Sequence, residues 1–500
     1  MKRYLLGIDV GTTGTKTLLY SADGALLGRA YRGYPLSTPR VGWSEQNAED
    51  WWRAVVGTVR EVCADPETAA NVAAISLSLQ GGTVVPTDAE FCPLRPAMVW
   101  NDARCEAERE AFLREIGPAA AMYEKTGWGL SPGLPALELR WLRDHEPETF
   151  RRAVWFLTVP DYISAKMTGI PAADLSDAGI NQLIDVRRGC YDETLLRFAG
   201  VTADRLPKLV RSGEVIGHLT EAAAAELGLT TETVLAAGAH DQYAVALGAG
   251  ATEAGDILIG SGTCWVITAI GDAPDFASGL SQSVAAVPGR WGSLQSLSSG
   301  GVCLEWWRKI FAQDDGSTVP YDVINAEAAA RRAAESGLYF YPFSGQAAPG
   351  RSFSKATFVG LDLSHDRFDL ARAILEGVAF QTLWMMESFR TKPSEAGLKL
   401  AGGASKSPLW CRLTADIAGL PVRIPEVADL ACVGAAILAG VGCGLYRDAG
   451  EGYRRLAVRE RVLQPDPARA AAYRPLFAEY KRIAGTLGAA YSLPIPGAEL

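Results

Sequence analysis

The stretch Leu5-Leu6-Gly7-Ile8-Asp9-Val10-Gly11-Thr12-Thr13-Gly14-Thr15-Lys16-Thr17-Leu18-Leu19-Tyr20 sets the terms for the rest of the chain. Two short apolar, β-rich runs flank a turn dense in glycine and threonine, the pattern of a β-hairpin. Asp9 falls where the first run ends. A carboxylate there is a hard oxygen ligand suited to Mg2+ kept largely hydrated. Gly11 and Gly14 let the backbone come close to a bulky anion. Thr12 and Thr13 add hydroxyl donors, and the N–H groups of the turn can converge on phosphate. The same residues also make an ordinary hairpin with a surface aspartate. No Gly-x-x-x-x-Gly-Lys-Ser/Thr and no Gly-x-Gly-x-x-Gly occurs here, so neither a Walker loop nor a dinucleotide fingerprint is present.

The layout returns once. Asp256-Ile257-Leu258-Ile259-Gly260-Ser261-Gly262-Thr263-Cys264-Trp265-Val266-Ile267 again runs strand, Gly/Thr turn, strand. Five hundred residues exceed what one core serves, and the repeat marks the start of a second half. Between the two, Val72–Leu79 reads as a buried strand that ends at Gln80-Gly81-Gly82-Thr83. Val234-Leu235-Ala236-Ala237-Gly238-Ala239-His240-Asp241-Gln242 is a strand running into a turn with an acid at its end. Asp241 there suits either a proton acceptor or a helix N-cap. In the second half, Gly300-Gly301 precedes a helix over 302–311, and 324–336 reads as another. Arg367–Ser388 is a long helix of 3.6-residue period, and Lys399–Ser407 runs strand, glycine turn, helix. An Ala/Gly helix covers 433–441 and a last helix 468–487. Strands alternating with helices imply α/β layers.

The net charge of −9 argues against nucleic acid or an anionic membrane as a main partner. The nine cysteines contain no Cys-x-x-Cys, and the four histidines add no ligand spacing. Buried free thiols in a reducing cytoplasm are the expectation. The N-terminus enters a strand within a few residues, without a signal peptide. The longest apolar run, Leu430 to Tyr446, is short for a membrane span and rich in glycine, which favours a packed core helix.

In their order and separations, seven segments resemble the FGGY carbohydrate kinases, of the actin-like ATPase fold. They are Gly7–Thr13, Trp100-Asn101-Asp102-Ala103-Arg104, Gly238–Gln242, Gly262-Thr263, Gly360–His365, Leu375–Phe380 and Gly402–Trp410. The resemblance spans nearly the whole chain and stands nearest to the xylulose kinase branch. It implies an α/β protein of two actin-like ATPase (ribonuclease H-like) domains with a cleft between them. Residues 1–245 would carry the sugar site and the catalytic base, and residues 246–500 the nucleotide. The implied reaction is ATP-dependent phosphorylation of a sugar or polyol hydroxyl, with Asp241 as general base and Gln242 bonded to the substrate. Trp100 and Asn101 would lie at the sugar pocket, and Asp102 and Arg104 would form a structural ion pair. Asp9 would hold Mg2+ through water, and Gly11, Thr12 and Thr13 would face the γ-phosphate. Gly262, Thr263 and Gly301 would meet the nucleotide from the other half, with Gly403 and Ser407 near the adenosine. The family often dimerises, so a homodimer is among the implied partners.

The chain departs from its relatives at one turn. Xylulose kinases carry Gln-Met-His-Gly after the strand ending near Leu79, and glycerol kinases Gln-Arg-Glu-Thr. Here both contacting side chains give way to Gly81 and Gly82. Two glycines imply a roomier floor for a longer, branched or acidic substrate of the ribulose, erythritol or gluconate type. Alternatively they serve a tight turn of positive φ. A non-catalytic sugar-binding regulator and a chaperone-type ATPase are the competing functions. The presence of both Asp9 and Asp241 opposes the first. The lack of a peptide-binding segment after the second half opposes the second.

Overall fold

The computed structural model describes residues 3–348, 351–353, 355–427, 429–456 and 458–491. β1 (Tyr4–Val10) and β2 (Gly14–Ser21) form the expected hairpin, with Asp9 opposite Lys16, and β3 (Leu26–Gly33) pairs with the outer side of β2. The link closes with the Gly11 N–H donating to the Gly14 carbonyl at 3.1 Å. Helix α1 (Ala48–Val62) starts where the Asn47 side chain accepts from the Glu49 N–H. Its apolar face, with Trp51, Val55 and Val59, packs on Leu6, Ile8 and Leu19 in one core. β4 (Val72–Leu79) lies parallel to β1 and is buried along its whole length, as a continuous apolar run in a central strand requires. With β5 (Val215–His218) and β6 (Val234–Ala236) the sheet order is β5-β6-β4-β1-β2-β3, and β7 (Ala239–His240) joins the end of β4. The helices around this sheet include α2 (Pro135–His145), the short α3 (Leu175–Ala178) and α4 (Asp241–Gly248).

The second sheet repeats the plan. β8 (Ile257–Ser261) and β9 (Trp265–Gly271) form a hairpin, and with β10 (Trp291–Leu297), β11 (Leu398–Gly402), β12 (Val422–Pro425) and β13 (Glu460–Leu463) they run in the order β10-β9-β8-β11-β12-β13, with Ser281–Val284 as a seventh strand on the outer side of β10. Its helices include α5 (Val302–Ile310), α6 (Tyr321–Ala329), α7 (Arg367–Met386), α8 (Pro408–Ala418) and α10 (Pro467–Tyr491). The helix expected over 324–336 stops early because tertiary bonds claim the backbone beyond it. The Ala334 N–H donates to Glu376 Oε2 at 2.9 Å, and Arg331 pairs with Asp366 at 2.7 Å.

The chain forms two compact units, each drawn from several segments. The first takes residues 1–253, 270–293 and 429–458, and the second takes 254–269, 294–428 and 459–500. Residues 429–458, late in the chain, thus pack with the first unit. Helix α9 (Leu430–Gly442), the Ala/Gly run of the sequence, belongs to the first unit and lies against β1 and α4. Its approach is backbone to backbone: a side chain on Gly7 would overlap the Cys432 carbonyl, and one on Gly434 would overlap the Ala244 carbonyl. The helix is apolar on every side and is buried from Leu430 to Gly440. Among the described residues no helix is long and apolar enough to cross a membrane. All nine cysteines are free; Cys63, Cys105, Cys303, Cys411 and Cys432 are buried as expected, whereas Cys92 and Cys264 are exposed.

Candidate active site

In the first unit two acids stand at the ends of strands that flank β4. In the parallel register Ser78 of β4 lies beside Asp9 of β1 on one side and Ala239 of β7 on the other. The Ser78 hydroxyl donates to Asp9 Oδ1 at 2.9 Å. Burial raises the Asp9 carboxyl to about 6; the Ser78 bond works the other way, and the charge of Asp241 adds to the rise. Two carboxylates that feel each other in this way form a site that a cation would relieve. Among the described residues no cluster of three or more His, Cys, Asp or Glu side chains could hold a metal by itself. A single carboxylate of this kind is a hard oxygen ligand of the type Mg2+ takes when water and phosphate complete its shell.

Asp241 opens α4, but it does not cap it. The cap is His240, whose Nδ1 accepts from the Gln242 N–H at 3.3 Å. This removes the N-cap explanation for Asp241 and leaves its carboxylate, 38% exposed, free for other work. His240 Nδ1 stands 3.3 Å from Asp241 Oδ1, and the ring is buried among aromatic neighbours, 5.7 Å from Trp128 and 5.8 Å from Tyr243. Burial lowers the imidazole's pKa against the pull of Asp241, so the ring stays neutral. The His240 N–H donates to Ser176 Oγ at 3.0 Å, and the Ser176 hydroxyl donates to Asp174. The segment after residue 170 thereby anchors the turn that carries Asp241.

Thr12 ties the hairpin turn to Gln80, Trp100 and Gln46. Its hydroxyl donates to Gln80 Oε1 at 2.9 Å and accepts from Trp100 Nε1 at 3.2 Å, while its carbonyl accepts from Gln46 Nε2 at 2.6 Å. The hydroxyl proton expected to face phosphate is therefore given to Gln80. Thr13 is exposed, and the Gly11 carbonyl accepts from the Tyr34 hydroxyl at 2.5 Å. Trp100 is 48% exposed. Asn101 beside it is exposed, and Gln242 is half-buried. Asp102 and Arg104 form the expected buried pair at 2.7 Å, with Arg104 also 2.8 Å from Glu45 and stacked 3.6 Å from the centre of Trp43.

The glycine pair proves closely surrounded. Gly82 has φ +68°, and a side chain there would press on Leu134 and Trp100. A Cβ on Gly81 would overlap Asp177 Oδ1, stand 2.9 Å from Ile180 Cγ2 and 3.0 Å from His240 Cδ2. The space read from sequence as a roomier floor is filled by protein groups far away in the chain. Asp177 has no motif around it in the sequence.

The second unit gathers the five residues expected at the nucleotide. Gly262, Thr263, Gly301, Gly403 and Ser407 line one cavity of about 410 Å³, together with Tyr321 and Asn325, which carry no sequence signal. The β8–β9 turn is tied to the start of α5 by the Gly301 N–H donating to the Gly262 carbonyl and the Val302 N–H to the Thr263 carbonyl, both at 3.2 Å. The Gly403 N–H donates to the Ser261 carbonyl at 2.6 Å. Ser407 caps α8, accepting from the Trp410 N–H at 3.0 Å and donating to Asn325 Oδ1 at 2.5 Å.

Comparison with known proteins adds an independent line. Residues 4–248 match the N-terminal domain, and residues 256–443 the C-terminal domain, of the FGGY family of carbohydrate kinases. Gluconokinase of Bacillus subtilis (strain 168) is 31% identical over 458 residues, which cover 89% of this chain and 88% of that protein. Xylulose kinase of Escherichia coli (strain K12) is 31% identical over 490 residues, covering 96% and 98%. Among solved structures, xylulose kinase from Rhodospirillum rubrum superposes with a TM-score of 0.89 at 28% identity, covering 98% of this chain and all of that one.

Proposed function

The chain belongs to the FGGY family of carbohydrate kinases and is an ATP-dependent sugar kinase, and from that premise we propose that it phosphorylates a hydroxyl of a ketose of the xylulose type, with Asp241 as general base. The observation that carries this reading is the placing of Asp241. It is a half-exposed carboxylate in the first turn of a helix, freed from capping by His240 and set beside a ring that stays neutral. The carboxylate takes the hydroxyl proton as the sugar oxygen bonds to the γ-phosphorus. The bond from that phosphorus to its bridging oxygen breaks, and ADP leaves.

The other residues bind and orient. Gln242 bonds a second hydroxyl, and the exposed face of Trp100 with Asn101 bounds the sugar. Thr12 holds Trp100 and Gln80 in place. The Gly11 backbone and the Thr13 hydroxyl receive the phosphoryl group under transfer. Gly262, Thr263 and Gly301 take the nucleotide phosphates, and Gly403 and Ser407 border the adenosine. Asp9 would hold Mg2+ through water. When bound, that ion neutralises charge on the phosphate oxygens.

A sugar acid is the second reading, favoured by the similarity to gluconokinase. Coupled ADP release across pentuloses, hexuloses, pentitols and aldonates tests both. The expected result is sugar-dependent ADP formation that is fastest with a pentulose. ATP hydrolysis indifferent to every sugar would overturn the proposal.

A further inference from the structure

The second unit holds a cavity that the reaction as described does not use. It is bounded by α6, α7, α8 and α10 and has a volume of about 710 Å³, within the range of small-molecule sites. The cavity of about 410 Å³ assigned above to the nucleotide lies beside it, and Tyr321, Asn325 and Lys406 line both.

Three kinds of chemistry meet on its walls. The floor is apolar, made by Ala326 and Ala329 of α6, Leu409 and Leu413 of α8 and Ala472 of α10. Cations stand where two helices begin: Lys406 precedes α8, Arg412 is one turn into it, and Arg469 is in the first turn of α10. The N-terminal dipoles of both helices add to that positive potential. The other two arginines are committed elsewhere. Arg372 is buried against Glu376 and Tyr473, and Arg332 donates to the Ala329 and Arg331 carbonyls with Glu335 3.8 Å away. The third element is a buried acceptor. Asp416 is 1% exposed, and its Oδ1 accepts from the Asp466 N–H at 2.8 Å. Its Oδ2 has no hydrogen-bond partner among the described residues, and Arg469 Nη1 is 3.6 Å away. A buried carboxylate oxygen without a donor costs stability, and a hydroxyl on a ligand would supply the donor.

A nucleoside phosphate matches all three: a flat base for the floor, phosphate for the cations and a ribose hydroxyl for the acid. A sugar phosphate would leave the floor unused. We propose that this cavity is a second nucleotide site, taking a nucleoside monophosphate, and that filling it weakens nucleotide binding next door. The coupling follows from Lys406. Among the described residues it is the one basic side chain on the neighbouring cavity, and it lines this one as well. An anion bound here draws the ammonium away and adds negative charge beside the first nucleotide. The binding stands by itself; the coupling rests on the neighbouring cavity being the ATP site.

Equilibrium dialysis of labelled AMP against the full chain, held saturated with β,γ-methylene-ATP, tests the site. A single equivalent of AMP per chain is expected. Arg412→Ala removes a cation, and Ala472→Trp fills the floor from an exposed helix position. In each, AMP affinity should fall about 10-fold or more, as the loss of a charge-assisted bond or of the space for the base imposes, with kcat at saturating ATP and sugar unchanged. In the sugar-dependent assay AMP should raise the KM for ATP about 5-fold or more and then level off. Arg412→Ala should remove that effect. Should Arg412→Ala not fold, having lost its bond to the Gln464 carbonyl, the stoichiometry and Ala472→Trp still decide. A KM that rises without limit and is the same in both variants is competition at the first cavity and would overturn the inference. So would no AMP binding beside the ATP analogue, or inorganic phosphate binding as tightly as AMP. Failure of the analogue itself to bind would take down the neighbouring assignment, and AMP binding weakened by the same two variants would leave this site standing.

Discussion

Asp9 and Asp241 sit one strand apart and differ in their surroundings, and each difference has a measurable consequence. Asp241→Asn keeps the shape of the side chain but cannot accept the proton. Phosphoryl transfer should fall about 10²–10⁴-fold while calorimetric sugar affinity stays within a small factor. A variant that retains a tenth of the wild-type kcat would remove Asp241 from the base role. For Asp9 the sign follows from its raised pKa. A carboxyl at about 6 in the folded chain and near 3.9 unfolded favours folding while it is protonated. That contribution is present below pH 4 and is lost as the pH climbs through 6. Asp9→Asn, which never ionises, should therefore melt above the wild-type protein at pH 7.5, by an amount of the order of 1 kcal/mol, with the gap closing near pH 4. The same variant should lose Mg·ATP-dependent activity well beyond any change in sugar affinity; an unaltered Mg2+ titration would end the assignment. Both acids were legible because a carboxylate at the end of an apolar run is a local signal. Asp177 was not, because its meaning comes from Gly81, 96 positions earlier, and from His240.

At the scale of elements, the turn after β4 decides between two readings of its glycines. Gly82 needs a left-handed backbone, and Gly81 is packed against Asp177, Ile180 and His240. Placing methionine and histidine there should strain the turn and push on the strand end that carries Asp241. The double variant Gly81→Met, Gly82→His should melt several degrees lower and lose activity on every sugar, as thermal unfolding and the sugar panel would record. Near-normal stability with a reordered sugar preference would restore the open-floor reading. The strand itself was fully readable: Val72–Leu79 is an apolar run between turn residues, and β4 has those bounds. Its surroundings were not, since the groups that fill the glycines' space, Asp177, Ile180 and His240 at Gly81 and Leu134 and Trp100 at Gly82, come from distant segments. Helix α6 shows the converse error. An alanine-rich run reads as continuous helix until Arg331 and the Ala334 N–H find partners on or beside α7, and propensity yields to tertiary bonding.

At the scale of the molecule, sequence order and spatial order part company. The repeat of hairpin, Gly/Thr turn and strand announced two halves, and two sheets of similar plan are present. That α9 belongs with the first unit could not be read, because an Ala/Gly helix fits any close-packed partner. Its seat on Gly7 and α4 implies that the first unit is incomplete without it. A fragment of residues 1–293 should be unfolded or aggregated by circular dichroism and sedimentation, and co-expression of 429–458 should recover soluble protein. A fragment that folds cooperatively alone would contradict this. The same seat also imposes a schedule on birth. Strand β1 leaves the ribosome among the first residues, yet the helix that covers it follows more than 400 positions later. Roughly 200 residues separate the first unit's opening segment from the end of its last. At about 5–20 residues per second their synthesis takes roughly 10–40 s. For that interval the face of β1 destined for α9 is an uncovered apolar surface, and a nascent chain stalled within it is a client for chaperones.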